Sequence, residues 1–82
     1  MRYYFDLIDK HGATPDDEGL ELSDLKHVQE EAARSLADMA RDTVLSPDGQ
    51  DTHEMAIAVR DENGPVLQVR FTFEIAPLQR RP

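Results

Sequence analysis

The sequence contains no cysteine and no tryptophan, and only five aromatic residues among 82. Without thiols there can be no disulfide and no thiolate metal site. No apolar run approaches the roughly 18 residues that a membrane-spanning helix requires. Basic residues are scarce, 9 Lys and Arg against 17 Asp and Glu, for a net charge of −8. Phosphate binding needs a basic footprint, so nucleic acid is not an expected partner. The four glycines are scattered among turn-like stretches, which leaves no glycine-rich phosphate loop. The chain opens directly on a strand pattern, with no leader-like charged and apolar regions. These absences point to a cytoplasmic protein with no membrane association and no cofactor. The length fits one domain, and such a chain buries only about 60–65% of its unfolded surface.

The clearest positive signal is the stretch Leu22 to Arg41. Stepping 100° per residue from Leu25, the residues Val28, Ala32, Leu36, Met39 and Ala40 fall within about 60° of it. Lys26, Glu30, Arg34 and Asp38 line the opposite face, with Glu30 and Arg34 spaced for an ion pair. Ser23 is the expected N-cap, Asp24 suits the positive end of the helix dipole, and fraying is expected near Asp42. Val44 and Leu45 are expected to tuck over the end of the core. An isolated amphipathic helix is marginal in water, so the stripe needs a partner surface.

That surface is supplied by strands. In Arg2 to Asp9, Tyr3, Phe5 and Leu7 alternate with Tyr4 and Asp6. His11 and Gly12 end this strand. Residues 13–19 read as a polar loop, and Leu20 to Leu22 as a short extended piece able to pair beside the first strand. Ser46-Pro47-Asp48-Gly49 has the residues of a tight turn, continued by a polar loop from Gln50 to Thr52. Met55, Ile57 and Val59 then alternate with polar or small residues, as do Leu67, Val69, Phe71, Phe73 and Ile75. A two-residue Asn-Gly loop between these strands would set Val59 opposite Gln68. A three-residue loop, Glu62-Asn63-Gly64, sets Val59 opposite Leu67, Ile57 opposite Val69 and Met55 opposite Phe71. The apolar pattern selects the latter, with Gly64 in the left-handed position of a bulged turn.

The expected fold is therefore α+β, ordered β–α–β–β. One helix packs on one face of a three-stranded antiparallel sheet, in strand order first–last–second. Residues 1–78 form the domain and 79–82 a flexible tail.

Chemistry-bearing constellations are sparse. Asp16, Asp17 and Glu18 form an acidic run without the alternating ligand spacing of a calcium loop, and Asp48 and Asp51 add no more. His11, His27 and His53 show no metal-ligand spacing, although Asp9 and His11 could approach His53 if their strand ends coincide. No serine or threonine sits in a nucleophile elbow. The expectation is a protein that is not an enzyme and holds no metal. A single helix covers one face only, which leaves Tyr4, Asp6, Ala56, Ala58, Val66, Gln68, Arg70 and Thr72 open. Tyr4, Ala56, Ala58 and Arg70, together with Asp16, Asp17 and Glu18, form the candidate interaction surface. Its partner would be a second copy or another protein. A basic protein masked by the acidic loop is the alternative, and weak metal binding or enzymatic activity a distant one.

Arg2-Tyr3-Tyr4-Phe5-Asp6-Leu7, Asp17 to Leu22, Asp24-Leu25 leading to Glu31-Ala32, and Val59 to Gly64 together resemble a family of small bacterial domains of unknown function found in rhizobia and other alphaproteobacteria. The resemblance spans nearly the whole chain and implies no catalytic or binding residue. The acidic, strand-rich start followed by a helix with the Glu31-Ala32 pair is also similar to HicB-type antitoxin domains. The glycine-rich strand segment and the DNA-binding tail of those proteins are missing here.

Overall fold

A computed structural model of the chain describes residues 1–45 and 52–80. The elements are β1 (Arg2–Asp9), β2 (Gly12–Thr14), β3 (Leu20–Glu21), α1 (Leu25–Val44), β4 (Thr52–Asp61) and β5 (Gly64–Glu74). They form one helix against a fully antiparallel sheet, an α+β fold. The expected turn at Ser46 to Gly49, with Gln50 and Asp51, lies outside the described residues, as do Arg81 and Pro82. Thr52 already belongs to β4.

The sheet runs β2-β1-β4-β5, with β3 also on β1. This corrects the expected order: the second long strand, not the last, is central. The reason lies before the helix. Lys10 and His11 turn β1 back on itself, so that Asp9 pairs with Gly12 and Leu7 with Thr14. The Asp9 carboxylate fixes this turn by accepting from the His11 N–H at 2.8 Å, and Gly12 adopts a φ of 117°, open to glycine at little cost. The chain then runs back along β1 to Leu20 and Glu21, which pair with Tyr3 and Arg2. The short piece near residues 20–22 is thus a paired strand, as its sequence suggested, whereas residues 12–14 are strand rather than loop. Having already returned to the start of β1, the chain uses the helix to climb back. β4 then descends antiparallel to β1, with Phe5 opposite Val59 and Leu7 opposite Ile57.

A central position explains the burial of β4, where Met55, Ala56, Ile57 and Val59 are all buried. Three apolar pairs of the final hairpin follow the expected register: Met55 with Phe71, Ile57 with Val69, and Val59 with Leu67. Gly64 takes a φ of 125°. The turn itself is tighter than expected. Asp61 pairs with Gly64 and Arg60 with Pro65, so Glu62 and Asn63 alone form the loop. The extra residue is Val66, in a bulge that re-phases the strand beyond the proline.

Tyr3, Met55, Ile57 and Val59 pack with Val28, Ala32, Leu36 and Ala40 as the core. The buried helix residues repeat every four positions, with Met39 half-buried beside them. Leu25, by contrast, is 53% exposed, and Leu45 is 75% exposed rather than tucked over the core. Arg34 pairs with Glu31 one turn earlier at 3.1 Å, not with Glu30.

The cap also shifts by one residue. Asp24, with extended φ and ψ, accepts from the His27 N–H at 2.9 Å, while Ser23 lies outside the helix. Hydrogen bonding from the His27 backbone, then from its ring, holds the Asp24 carboxyl below its ordinary range. Replacing Asp24 with Ala removes this cap and is expected to destabilise the start of the helix. In thermal denaturation this should lower Tm, against almost no change for Ser23→Ala.

Candidate functional site

The face of the sheet opposite α1 carries Tyr4, Asp6 and Ile8 from β1, Ala56, Ala58 and Arg60 from β4, and Gln68 and Arg70 from β5. Cross-strand pairing orders them into rows: Ile8, Ala56 and Arg70; Asp6, Ala58 and Gln68; Tyr4 and Arg60. Two alanines on the central strand, flanked by longer side chains on both neighbours, make the floor of a trough. Ala56 is therefore buried although no helix among the described residues lies above it, and Ala58 is half-buried. The trough arises because side-chain length differs across adjacent strands.

One end of this face is closed by a polar knot. Pro15 to Gly19 interrupts what would be one continuous edge strand between β2 and β3, and the pairing register along β1 shifts by two residues across the interruption. The loop would leave the Phe5 N–H without a strand partner. The Asp16 carboxylate takes that place, accepting from Phe5 at 3.1 Å through one oxygen. Its other oxygen accepts from the N–H groups of Glu18 and Gly19 at 3.1 and 3.2 Å. The Asp16 N–H donates in turn to Asp6 at 2.9 Å. Arg60 closes the knot: its Nε donates to Asp6 at 2.9 Å, another nitrogen donates to the Asp16 carbonyl at 2.9 Å, and its guanidinium lies 4.5 Å over the Tyr4 ring. Gly19, with φ 75°, sits so close to Arg2 and Tyr4 that a Cβ would approach their side-chain carbons to 2.8–2.9 Å.

The electrostatics follow from these bonds. Partial burial pushes the Asp16 carboxyl up, but the three backbone donors and Arg60 together outweigh it and hold the group below its ordinary range. Arg60 is shifted upward, chiefly by its hydrogen bond to Asp6.

The candidate residues therefore separate. Asp16 and Tyr4 are committed to the knot. Asp17 and Glu18 remain exposed on a loop whose Glu18 carbonyl is held by Arg2 at 2.7 Å. Ala56 and Ala58 form the trough floor, and Arg70 is an exposed wall. Sequence reading missed Arg60 as a site residue. Its signal was present, since strand alternation puts it on the same face as Ala56 and Ala58.

An open cleft of about 1020 Å³ lies where β1 ends and β4 begins, and both His11 and His53 line it together with Asp9. The strand ends thus coincide, which was the condition for Asp9 and His11 to approach His53. Their chemistry does not converge: His53 is only 6% exposed and its ring lies 5.9 Å from that of Phe73, while Asp9 is occupied by the His11 backbone. Among the described residues no three His, Asp or Glu side chains group closely enough to hold a metal ion.

The two edges of the sheet differ. One consists of two short strands broken by an acidic loop. The other is β5, eleven residues long, whose outer side pairs with no strand among the described residues. Beyond Glu74, residues 75–80 have no regular structure, and Ile75 is 54% exposed. No helix among the described residues is long and apolar enough to cross a membrane.

A family model described as a domain of unknown function (DUF6894) matches residues 2–72, which includes every stretch that carries the resemblance noted in the sequence. No curated protein and no solved structure matches the chain.

Proposed function

The chain belongs to the DUF6894 family, a domain of unknown function, and we propose that it acts without catalysis, as a cytoplasmic protein–protein interaction or regulatory module. The observation that carries this reading is the uncovered sheet face. Its trough has a floor of small apolar side chains and is bordered on β5 by the exposed Gln68, Arg70 and Thr72. An apolar floor with a polar rim suits another protein's side chains. Asp6, Asp16, Asp24 and His53 are each engaged in structural contacts, which supports a binding rather than an acid–base role.

A photoreactive amino acid placed in turn at Gln68 and Arg34 tests it in cells. Position 68 lies on the uncovered face and position 34 on the outer side of the helix. A protein adduct should form from position 68 and not from position 34. No adduct from 68, or equal yields from both, would overturn the assignment of the surface.

The second reading is an acidic mask for a basic partner, favoured by the exposure of Asp17 and Glu18 on a loop anchored beneath them. The similarity to HicB-type antitoxin domains noted in the sequence belongs to this reading. In the same experiment it predicts adducts from a probe at Asp17 that disappear at high salt, where exposed charges are screened.

A further inference from the structure

We infer that β5 pairs antiparallel with β5 of a second copy about a two-fold axis through Thr72, joining two sheets into one. This goes beyond the interaction reading above, because it concerns the sheet edge and leaves the uncovered face open.

The first argument is the contrast between the edges. Exposed strand edges are templates for further pairing, and proteins blunt them with short strands, charges, prolines and bulges. The β2/β3 edge uses short strands and acids. On β5 the proline and the bulge are confined to the hairpin end, at Pro65 and Val66. From Leu67 to Glu74 the strand is regular, with Arg70 and Glu74 as its charged residues. Leu67, Val69, Phe71 and Phe73, on the helix side, are all only half-buried. The helix leaves them a flank that a neighbouring strand would cover.

The second argument is charge complementarity, which selects one register. Antiparallel self-pairing about Thr72 places Arg70 opposite the partner's Glu74 and, by symmetry, Glu74 opposite the partner's Arg70. Neither residue has an ion pair among the described residues. The same register places Phe71 opposite the partner's Phe73, and Val69 opposite the partner's exposed Ile75. Opposite charges and aromatic pairs facing each other across strands are favourable. An axis through Arg70 would set Arg70 against itself. An axis through Phe71 or Phe73 leaves both charges without an ionic partner. An axis between residues would set the polar face of one copy against the apolar face of the other. The two-fold through Thr72 is isologous and keeps both helices on the same side of the joined sheet.

The test uses the whole chain and three charge variants. Sedimentation should give a species of twice the 9.3 kDa chain mass. Glu74→Arg and Arg70→Glu should each weaken association about tenfold or more, since each places two like-charge pairs in the interface. Combining them in one chain should restore it, while circular dichroism stays unchanged throughout. Because the protein has no cysteine, Thr72→Cys introduces its only thiol. On the axis, two such thiols fall within disulfide range. They should cross-link under mild oxidation. Gln68→Cys should not, since its two copies would lie roughly 27 Å apart along the strands. The inference is overturned if the chain remains a monomer at about 0.5 mM, where a dimer with a micromolar dissociation constant would be almost fully formed. It is also overturned by a dimer that ignores the charge reversals and cross-links equally through both positions. A monomer that still gives photo-adducts of a different protein from position 68 would refute the self-pairing and leave the interaction reading standing.

Discussion

Asp16→Ala is expected to destabilise the fold by about 2–3 kcal/mol, an unusual cost for a loop carboxylate. The side chain accepts from three backbone N–H groups, and the one on Phe5 belongs to a strand. Truncation leaves that donor half-buried with nothing to bond. It also releases the turn that presents the Asp16 carbonyl to Arg60. A domain of this size has a total stability of about 4–12 kcal/mol, so the loss is a large fraction. Urea denaturation of Asp16→Ala beside Asp17→Ala separates this role from mere negative charge, because Asp17 is exposed and should change stability by less than about 0.5 kcal/mol. If the two variants behave alike, Asp16 does not act as the substitute strand partner.

The same residue gives a pH dependence whose sign is fixed. Its carboxyl is held below the ordinary value of 3.8 in the folded chain. Its contribution is therefore complete above that value and is lost as pH falls through the lower, folded-state value. The stability gap between wild type and Asp16→Asn should be constant near neutrality and close below about pH 4. A gap that widens on acidification would contradict the hydrogen-bonded carboxylate.

Ile57→Ala should cost more still, about 3–4 kcal/mol. Ile57 is 2% exposed at the middle of the central strand, between Leu7 and Val69 and in the core beneath the helix. Removal of its branched side chain leaves a cavity that neighbouring strands cannot close, because hydrogen bonds on both sides fix β4. Chemical denaturation should show a lower midpoint with an unchanged slope. A cost below about 1.5 kcal/mol would mean that the helix settles into the gap, which the small residues Ala32 and Ala40 would have to permit.

The two effects arise from parts of the chain that differ in how readily they can be read. Ile57 could be placed from sequence because period-two alternation and the pairing of Met55, Ile57 and Val59 with Phe71, Val69 and Leu67 leave one consistent register. The helix was equally visible in the four-residue spacing of Val28, Ala32, Leu36 and Ala40. Asp16 was visible only as one of three successive acids. What distinguishes it is a backbone donor eleven residues earlier, and no local pattern encodes that separation. Strand order failed for a related reason. The three-residue strand Gly12–Thr14 is too short to show a period, yet it reverses the chain and thereby decides which long strand is central. Arg60 lay between these cases, since its face was readable but its partners, 54 and 44 residues distant, were not.

The interruption between β2 and β3 has a consequence for how far a sheet of this kind can grow. A protein with two competent edges can add copies at both and extend into a fibre. Here one edge is cut into pieces too short to template a neighbour, with Asp17 and Glu18 standing at the break. In the proposed pairing, growth at β5 would end after a single addition, because each newcomer would present only its own broken edge to the outside. The acidic loop would then act as a chain terminator and confine the proposed self-association to a closed pair.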